Sequence, residues 1–354
     1  MSRPPRWLVA TLLLGALALG AAGSWFYLAQ RQYLQQTASA NLLIIAQDKL
    51  DEIVAWRTER LGDAAVFQES PFFVRAVARW LAGHQPEVAA DILTRLRSTK
   101  DQYGYDDLRL VDRAGRVVLA TSGRRGALGA TAAAALRAAF RGRRPTIGDV
   151  HVSSDDSFPH LAVVAPLFAS SARAAEPIGA VLLVVDARRS LFRQVASWLS
   201  PSPSAEAVLV RRDGDAVLFL SERRFQPGTA LTLRIPLSRR DVPAVMAVLG
   251  TEGVVRGVDY RGVRVISALG AVPGTPWFLV AKVDRAEALA VWRTRVALVF
   301  AVLLGLVIVA GATAIAVGQR SATARYRRLY EAEAALGASE ARFRTLEANL
   351  TVAT

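Results

Sequence analysis

Asp107 to Thr121 reads DLRLVDRAGRVVLAT. Leu108 and Leu110 alternate with polar residues, Arg113-Ala114-Gly115 supplies a turn, and Val117 and Leu119 resume the alternation. Period-two patterning on both sides of a Gly-containing turn predicts a β-hairpin. A polar, Gly-rich loop follows it, then a short predicted helix over Thr131–Phe140. Further strands are predicted at Thr146–Val152, His160–Leu167 and Gly179–Asp186, with a surface turn at Ser171–Pro177. Together they predict an α/β (α+β) unit, a mostly antiparallel sheet of about five strands with helices against it.

The pattern recurs. Ala205 to Ser221 reads AEAVLVRRDGDAVLFLS, again strand, Asp-Gly turn, strand. Gly253–Asp259, Gly262–Leu269 and Trp277–Asp284 then follow in the order that Ile147-Gly148-Asp149, Leu161–Leu167 and Ile178–Asp186 follow the first hairpin. Asp186 and Asp284 each close an apolar strand, VLLVVD and LVAKVD, ahead of helix-compatible residues. Helix N-capping is the ordinary role of such a carboxylate. This order predicts two related units, residues 70–187 and 205–292. The segment 188–204 joins them, a helix over Ala187–Leu199 running into Pro201, Ser202, Pro203 and Ser204.

Upstream, residues 30–69 carry a helical pattern. Leu42, Ile45, Leu50, Ile53, Val54, Arg57, Leu61, Ala65 and Val66 recur at spacings near three and four, and no Gly or Pro interrupts Gln30 to Leu61. A helix this long needs a domain to cover its apolar stripe. Pro71 opens a further helix through Trp80, and Pro86 another ending near Arg97.

Two apolar runs bracket all of this. Leu8 to Ala29 reads LVATLLLGALALGAAGSWFYLA, and Val296 to Val317 reads VALVFAVLLGLVIVAGATAIAV. A bilayer core needs roughly 20 such residues as helix. The two runs are therefore expected to be transmembrane helices, in segments 1–29 and 293–318. Arg3 and Arg6 precede the first, and Arg320, Arg325, Arg327 and Arg328 follow the second. The positive-inside rule then puts both chain ends in the cytoplasm and residues 30–292 in the periplasm or exterior. The expected location is the bacterial inner membrane, multi-pass, with the lipid bilayer as a partner.

With helix, hairpin and repeat in view, the layout resembles a double Cache sensor region: first anchor, long helix, two PAS-like Cache units with antiparallel sheets, second anchor. The words that carry the resemblance are Ile53 to Leu61 (IVAWRTERL), Leu110 to Val118 (LVDRAGRVV) and Trp277 to Asp284 (WFLVAKVD). It implies detection of a small-molecule ligand, in the unit that comes first in sequence and lies distal to the membrane. The amino-acid-binding version of the fold is similar to an Arg-x-Trp-Tyr pattern in that unit, which is absent here. The ligand's class therefore stays open. Ala338 to Asn349 resembles the opening of a cytoplasmic PAS domain, within segment 319–354. That implies the input half of a sensor histidine kinase, with a diguanylate cyclase or chemoreceptor input as the alternative. A non-enzymatic membrane scaffold or adhesion protein is the reading from another class. Leu329, Leu336, Phe343 and Leu350 recur every seven residues, a short coiled-coil pattern that predicts a homodimer.

The candidate ligand site follows from the first unit's polar residues: Tyr103, Tyr105, Asp106, Arg141, Asp149, His151 and His160, with Asp155 and Asp156 beside them. Asp149 and His151 share one face of a strand, where side chains repeat every two residues. A carboxylate beside an imidazole suits an amine or a hydroxyl. Arg141, with Arg143 and Arg144, suits an anion instead. The competing reading of both groups is solvated surface.

Composition limits the alternatives. The 354 residues hold no cysteine and three histidines, so disulfides, thiolate chemistry and a zinc site are not expected. The net charge of +14 comes from scattered arginines, and nucleic acid is not an expected partner. No phosphate-binding glycine loop, nucleophile elbow or zinc-protease motif occurs. No catalytic domain and no cofactor are expected.

Overall fold

The hairpin at 107–121 forms as its pattern predicts. A computed structural model covers residues 1–354 and describes 6–153, 157–170, 172, 175–198, 201–288 and 290–351. Strands β1 (Asp107–Asp112) and β2 (Arg116–Ala120) pair antiparallel. Asp112 Oδ1 accepts the Ala114 and Arg116 amides, each at 2.9 Å, and Gly115 takes φ 81°. That backbone region suits glycine.

The first sheet continues with β3 (Gly126–Ala127), β4 (Thr146–Ile147), β5 (His160–Phe168) and β6 (Pro177–Asp186) in the order β3-β2-β1-β6-β5-β4. It has six strands because a two-residue edge strand forms inside the Gly-rich loop. The strand expected over Thr146–Val152 is cut short. Gly148 still donates to Ala162 O at 2.8 Å, but the ladder then breaks until His151 bridges His160.

The second sheet has β7 (Glu206–Asp213), β8 (Ala216–Phe219), β9 (Arg234–Pro236), β10 (Gly253–Val258), β11 (Arg264–Ala271) and β12 (Trp277–Asp284). Read from β9, its order is β9-β8-β7-β12-β11-β10, the first sheet's order repeated strand for strand. The chain thus holds two antiparallel sheet units of one topology.

Helices cover both faces of each sheet, which is why the central strands are rich in buried apolar residues. On one side lie α1 (Arg6–Glu69), α2 (Pro71–Gly83) and α3 (Pro86–Tyr103). Leu42, Ala46, Ile53, Trp56, Ala64 and Phe67 of α1 join Leu108, Leu110 and Leu161 of the first sheet and Leu209, Leu279 and Ala281 of the second in a continuous core. The buried stripe is turned slightly from the expected one, and Val66 is exposed. On the opposite faces, α4 (Ala130–Gly142) packs Ala135, Leu136 and Ala139 on the first sheet. There α6 (Pro243–Val248) packs Ala244, Val245 and Val248 on the second. Between the sheets in sequence, α5 (Leu191–Ala196) is shorter than the helix expected there. Asp186 does not cap it. Its Oδ1 instead accepts the Arg188 amide at 2.9 Å, and the carboxylate pairs with the Arg188 side chain. After β12 come α7 (Arg285–Ala288) and α8 (Ala290–Thr351).

Residues 36–288, holding both sheets, form one unit; residues 1–35 and 289–354 form another, entirely helical where described. The expectation of two transmembrane helices is corrected here. Among the described residues, no helix is long and apolar enough to cross a membrane. The two apolar runs fall inside α1 and α8, which continue as helix well past them. The expected bilayer partner rested on those spans and is not supported without them. The multi-pass location and the sidedness of residues 30–292 rested on those spans and go with them. Of the heptad positions, Leu336 is exposed, and the side chains of Leu329, Phe343 and Leu350 lie outside the described residues, as do Asp155 and Asp156.

Candidate functional site

The seven residues singled out in the first unit divide into three groups. Asp149, His151 and His160 come together at the edge of the first sheet. His151 and His160 exchange backbone hydrogen bonds at 2.9 Å, and their rings lie 4.3 Å apart. Each Nδ1 lies 3.0 Å from a carbonyl oxygen, that of Asp149 for His151 and of Phe158 for His160. A carbonyl can only accept, so each Nδ1 carries the proton. The Asp149 carboxylate is turned to the second sheet. Its Oδ1 accepts from Trp277 Nε1 at 2.7 Å, and its Oδ2 lies 3.0 Å from Arg211 Nε as an ion pair.

Tyr105 and Asp106 lead into β1. Tyr105 is buried, donates to Asp63 of α1, and lies under the Arg60 guanidinium. Burial, then the bond to Asp63, pushes its hydroxyl far above the usual range. Asp106 donates its amide to Val184 O at 2.9 Å. Tyr103 and Arg141 stand apart, both exposed. Tyr103 ends α3, while Arg141 lies in the last turn of α4, on the opposite face of the sheet. Arg143 beside it donates to Ala175 O and Ala172 O and covers the Phe168 ring.

The second unit holds a charged group within its core. Lys282, on the central strand β12, is 2 % exposed. It lies across the ladder from Glu206 of β7, and its Nζ pairs with Glu206 Oε2 at 2.8 Å and with Asp259. Tyr260 donates its hydroxyl to Glu206 at 3.0 Å. Asp259 also accepts from Arg261 Nε at 2.7 Å and from the Arg261 and Val263 amides. Burial opposes the charge on Asp259, but Lys282 and Arg261 outweigh it and hold the carboxyl below its usual range. So arranged, Asp259 is a structural centre, as its turn-like sequence suggests.

Next to this group an open cleft of about 940 Å³ runs between the end of α5, the 201–207 segment and the chain after β8. Trp198, Pro201, Pro203 and Pro227 give it apolar walls, and Glu206, Glu222, Arg223 and Arg224 its charge. Arg224 Nη1 donates to Ser202 O and Ala205 O, and Glu222 accepts the Thr229 amide. Arg223 is 3 % exposed, and burial pushes its guanidinium below the ordinary value.

The cleft, Glu206 and Lys282 are not singled out by the sequence, which marks Asp259 only as a structural turn residue. Two signals point to them in retrospect. Lys282 interrupts the apolar run LVAKVD, and Glu206 interrupts AEAVLV at a position facing it across the ladder. Among the described residues, no cluster of three or more His, Cys, Asp or Glu could hold a metal ion.

Two six-stranded antiparallel sheets of one strand order, served by one long N-terminal helix, define a Cache-like two-unit architecture, the fold of chemoreceptor ligand-binding domains. No family model and no curated protein sequence matches the chain. Solved structures do. The chain is similar in fold to the ligand-binding domain of the Pseudomonas fluorescens chemoreceptor CtaA in complex with L-isoleucine. That match has 13 % identity and TM-score 0.50, over 74 % of this chain and 98 % of that one. It is also similar to the sensory domain of the Campylobacter jejuni chemoreceptor Tlp3, at 10 % identity and TM-score 0.52, over 73 % of this chain and 98 % of that one. The same domain with isoleucine bound matches at 9 % identity and TM-score 0.52, over 73 % and 97 %. At these identities the likeness is one of fold.

Proposed function

We propose that the chain is a small-molecule-sensing module of the extracytoplasmic kind that chemoreceptors carry. The observation that supports this best is the repetition of one sheet order in two units on a shared helix, with a cleft large enough for a small ligand beside the second. The similar structures are chemoreceptor domains, which favours a chemoreceptor input over the input half of a histidine kinase. The sensing units are proposed as residues 70–187 and 205–292, joined by 188–204. Within the first we propose Asp149, His151 and His160 as ligand-contacting residues, since the sheet edge gathers them. Tyr103, Tyr105, Asp106 and Arg141 sit at other places on that unit and are the weaker candidates.

The test is a thermal-shift screen of the full chain against amino acids, amines, organic acids and sugars. Selective binding to the native state stabilises it. A saturable rise in melting temperature with one chemical class supports sensing. No shift from any class, with the chain folded by circular dichroism, removes it.

A further inference from the structure

Arg223 is a buried cation of the second unit with a donor left unsatisfied. Its Nε donates to Thr229 Oγ1 at 3.0 Å, and its guanidinium lies 5.1 Å from the centre of the Tyr260 ring. Its Nη1 is sealed from solvent and has no hydrogen-bond partner among the described residues. A buried donor left unsatisfied bears its full desolvation cost, and a buried cation is normally paired with an anion. Glu206 and Glu222 lie near enough to favour its charge, but neither accepts a hydrogen bond from its Nη1. Glu206 is taken by Lys282, Tyr260 and the Arg224 amide, and Glu222 by the Thr229 amide.

Arg223 also lines the open cleft. The walls there are Trp198, Pro201, Pro203 and Pro227, rigid and apolar. Arg224 faces the same space, but its Nη1 is already engaged by two backbone carbonyls. The site therefore presents a buried guanidinium with an unsatisfied donor beside an apolar surface. We propose that this cleft binds a small apolar monocarboxylate, its carboxylate on the Arg223 guanidinium and its body against Trp198 and the prolines. Guanidinium is suited to a planar carboxylate, which it can hold through two parallel bonds. The inference gives the sensing reading a site and a ligand class, and it rests on that reading.

The experiment is isothermal titration calorimetry of the full chain with benzoate and hexanoate, and with benzylamine as the cationic counterpart of benzoate. Saturable binding of either acid is expected, weakened about tenfold or more in Arg223→Gln, as loss of a hydrogen bond to a charged group requires. Arg223→Lys should retain more of the affinity than Arg223→Gln. Circular dichroism reports whether each variant stays folded. If Arg223→Gln unfolds, Trp198→Ala takes its place, because it strips the wall while leaving the cation. Loss of acid binding in that variant supports the proposal, and unchanged binding overturns it. Failure of both acids to bind the wild-type chain overturns it too, as does benzylamine binding as tightly as benzoate. A compound from the thermal screen that binds wild type and Arg223→Gln equally keeps the sensing function and removes the cleft as its site.

Discussion

Asp149 at the edge of the first sheet accepts a 2.7 Å hydrogen bond from Trp277 Nε1 on the second. Trp277 is 1 % exposed and pairs in register with Arg211, whose Nε lies 3.0 Å from the same carboxylate. One side chain of the first unit thus holds two neighbouring strands of the second. Asp149→Ala would leave the indole N–H buried without an acceptor, a cost of about 1–3 kcal/mol. Asp149→Asn retains an acceptor and should cost less. Thermal melts followed by tryptophan fluorescence rank the two. Equal melting of Asp149→Ala and wild type would show that the contact adds nothing to the coupling of the sheets.

Lys282 neutralises Glu206 and Asp259 where water cannot. Removing one member of a buried ion group is far worse than replacing the group, because the remaining charge stays uncompensated. Lys282→Ala should therefore destabilise by about 3–5 kcal/mol. The triple variant Lys282→Met, Glu206→Gln, Asp259→Asn should recover part of that loss. Urea unfolding measures both. A Lys282→Ala midpoint within error of wild type would mean that the group is hydrated in solution.

The architecture was largely legible because it is written in local periodicity. The turns at Gly115 and Gly214, the apolar strands ending in Asp186 and Asp284, and their recurrence in one order all lie within short windows. What escaped depends on contacts across long sequence distances. Asp149 and His151 read as neighbours on one strand, but the ladder breaks after Gly148, and the Asp149 carboxylate reaches Trp277 instead. Glu206 and Lys282 are partners only through the pairing of β7 with β12. The cleft by Arg223 is assembled from α5, the 201–207 segment and the chain after β8, so no single stretch announces it. The two apolar runs illustrate the reverse failure. Hydrophobicity alone suggests membrane spans, whereas among the described residues no helix is long and apolar enough to cross one.

Gly179 marks a close approach of β6 to β1. A Cβ there would run into the carbonyl oxygen of Val111, beside the register shift at Leu110/Val111. Backbone cannot move aside as a flexible side chain can, so Gly179→Ala should destabilise by about 1–3 kcal/mol. Gly62 in α1 is the control, since nothing lies within 4 Å of its Cβ position. Gly62→Ala should be stabilising by up to about 1 kcal/mol, from helix propensity alone. Chemical denaturation of both variants tests the contrast. A stable Gly179→Ala would mean that β1 and β6 separate locally without loss.

Asp107 gathers a dense set of donors at the start of β1: Thr121 Oγ1 at 2.7 Å, Ser122 Oγ at 2.7 Å, the Ser122 amide at 3.0 Å and Arg109 Nε at 2.7 Å. Burial opposes its charge, but these bonds outweigh it, and the carboxyl is held below its usual value. Asp186 and Asp259 are lowered in the same way, by Arg188 and by Lys282 with Arg261. A carboxyl with a lowered folded-state value binds fewer protons folded than unfolded. Its stabilisation is complete above the unfolded value of about 3.9 and is lost as pH falls through the lower folded value. Stability should thus be insensitive to these groups near neutrality and fall steeply below about pH 4. Asp107→Asn should be less stable than wild type at pH 7, because the charge-assisted bonds are gone. It should also lose less on acidification, having one fewer carboxylate to protonate. Urea midpoints at pH 7, 5, 4 and 3 give both quantities. Parallel curves for the variant and wild type would remove Asp107 from the acid response and leave it to Asp186 and Asp259.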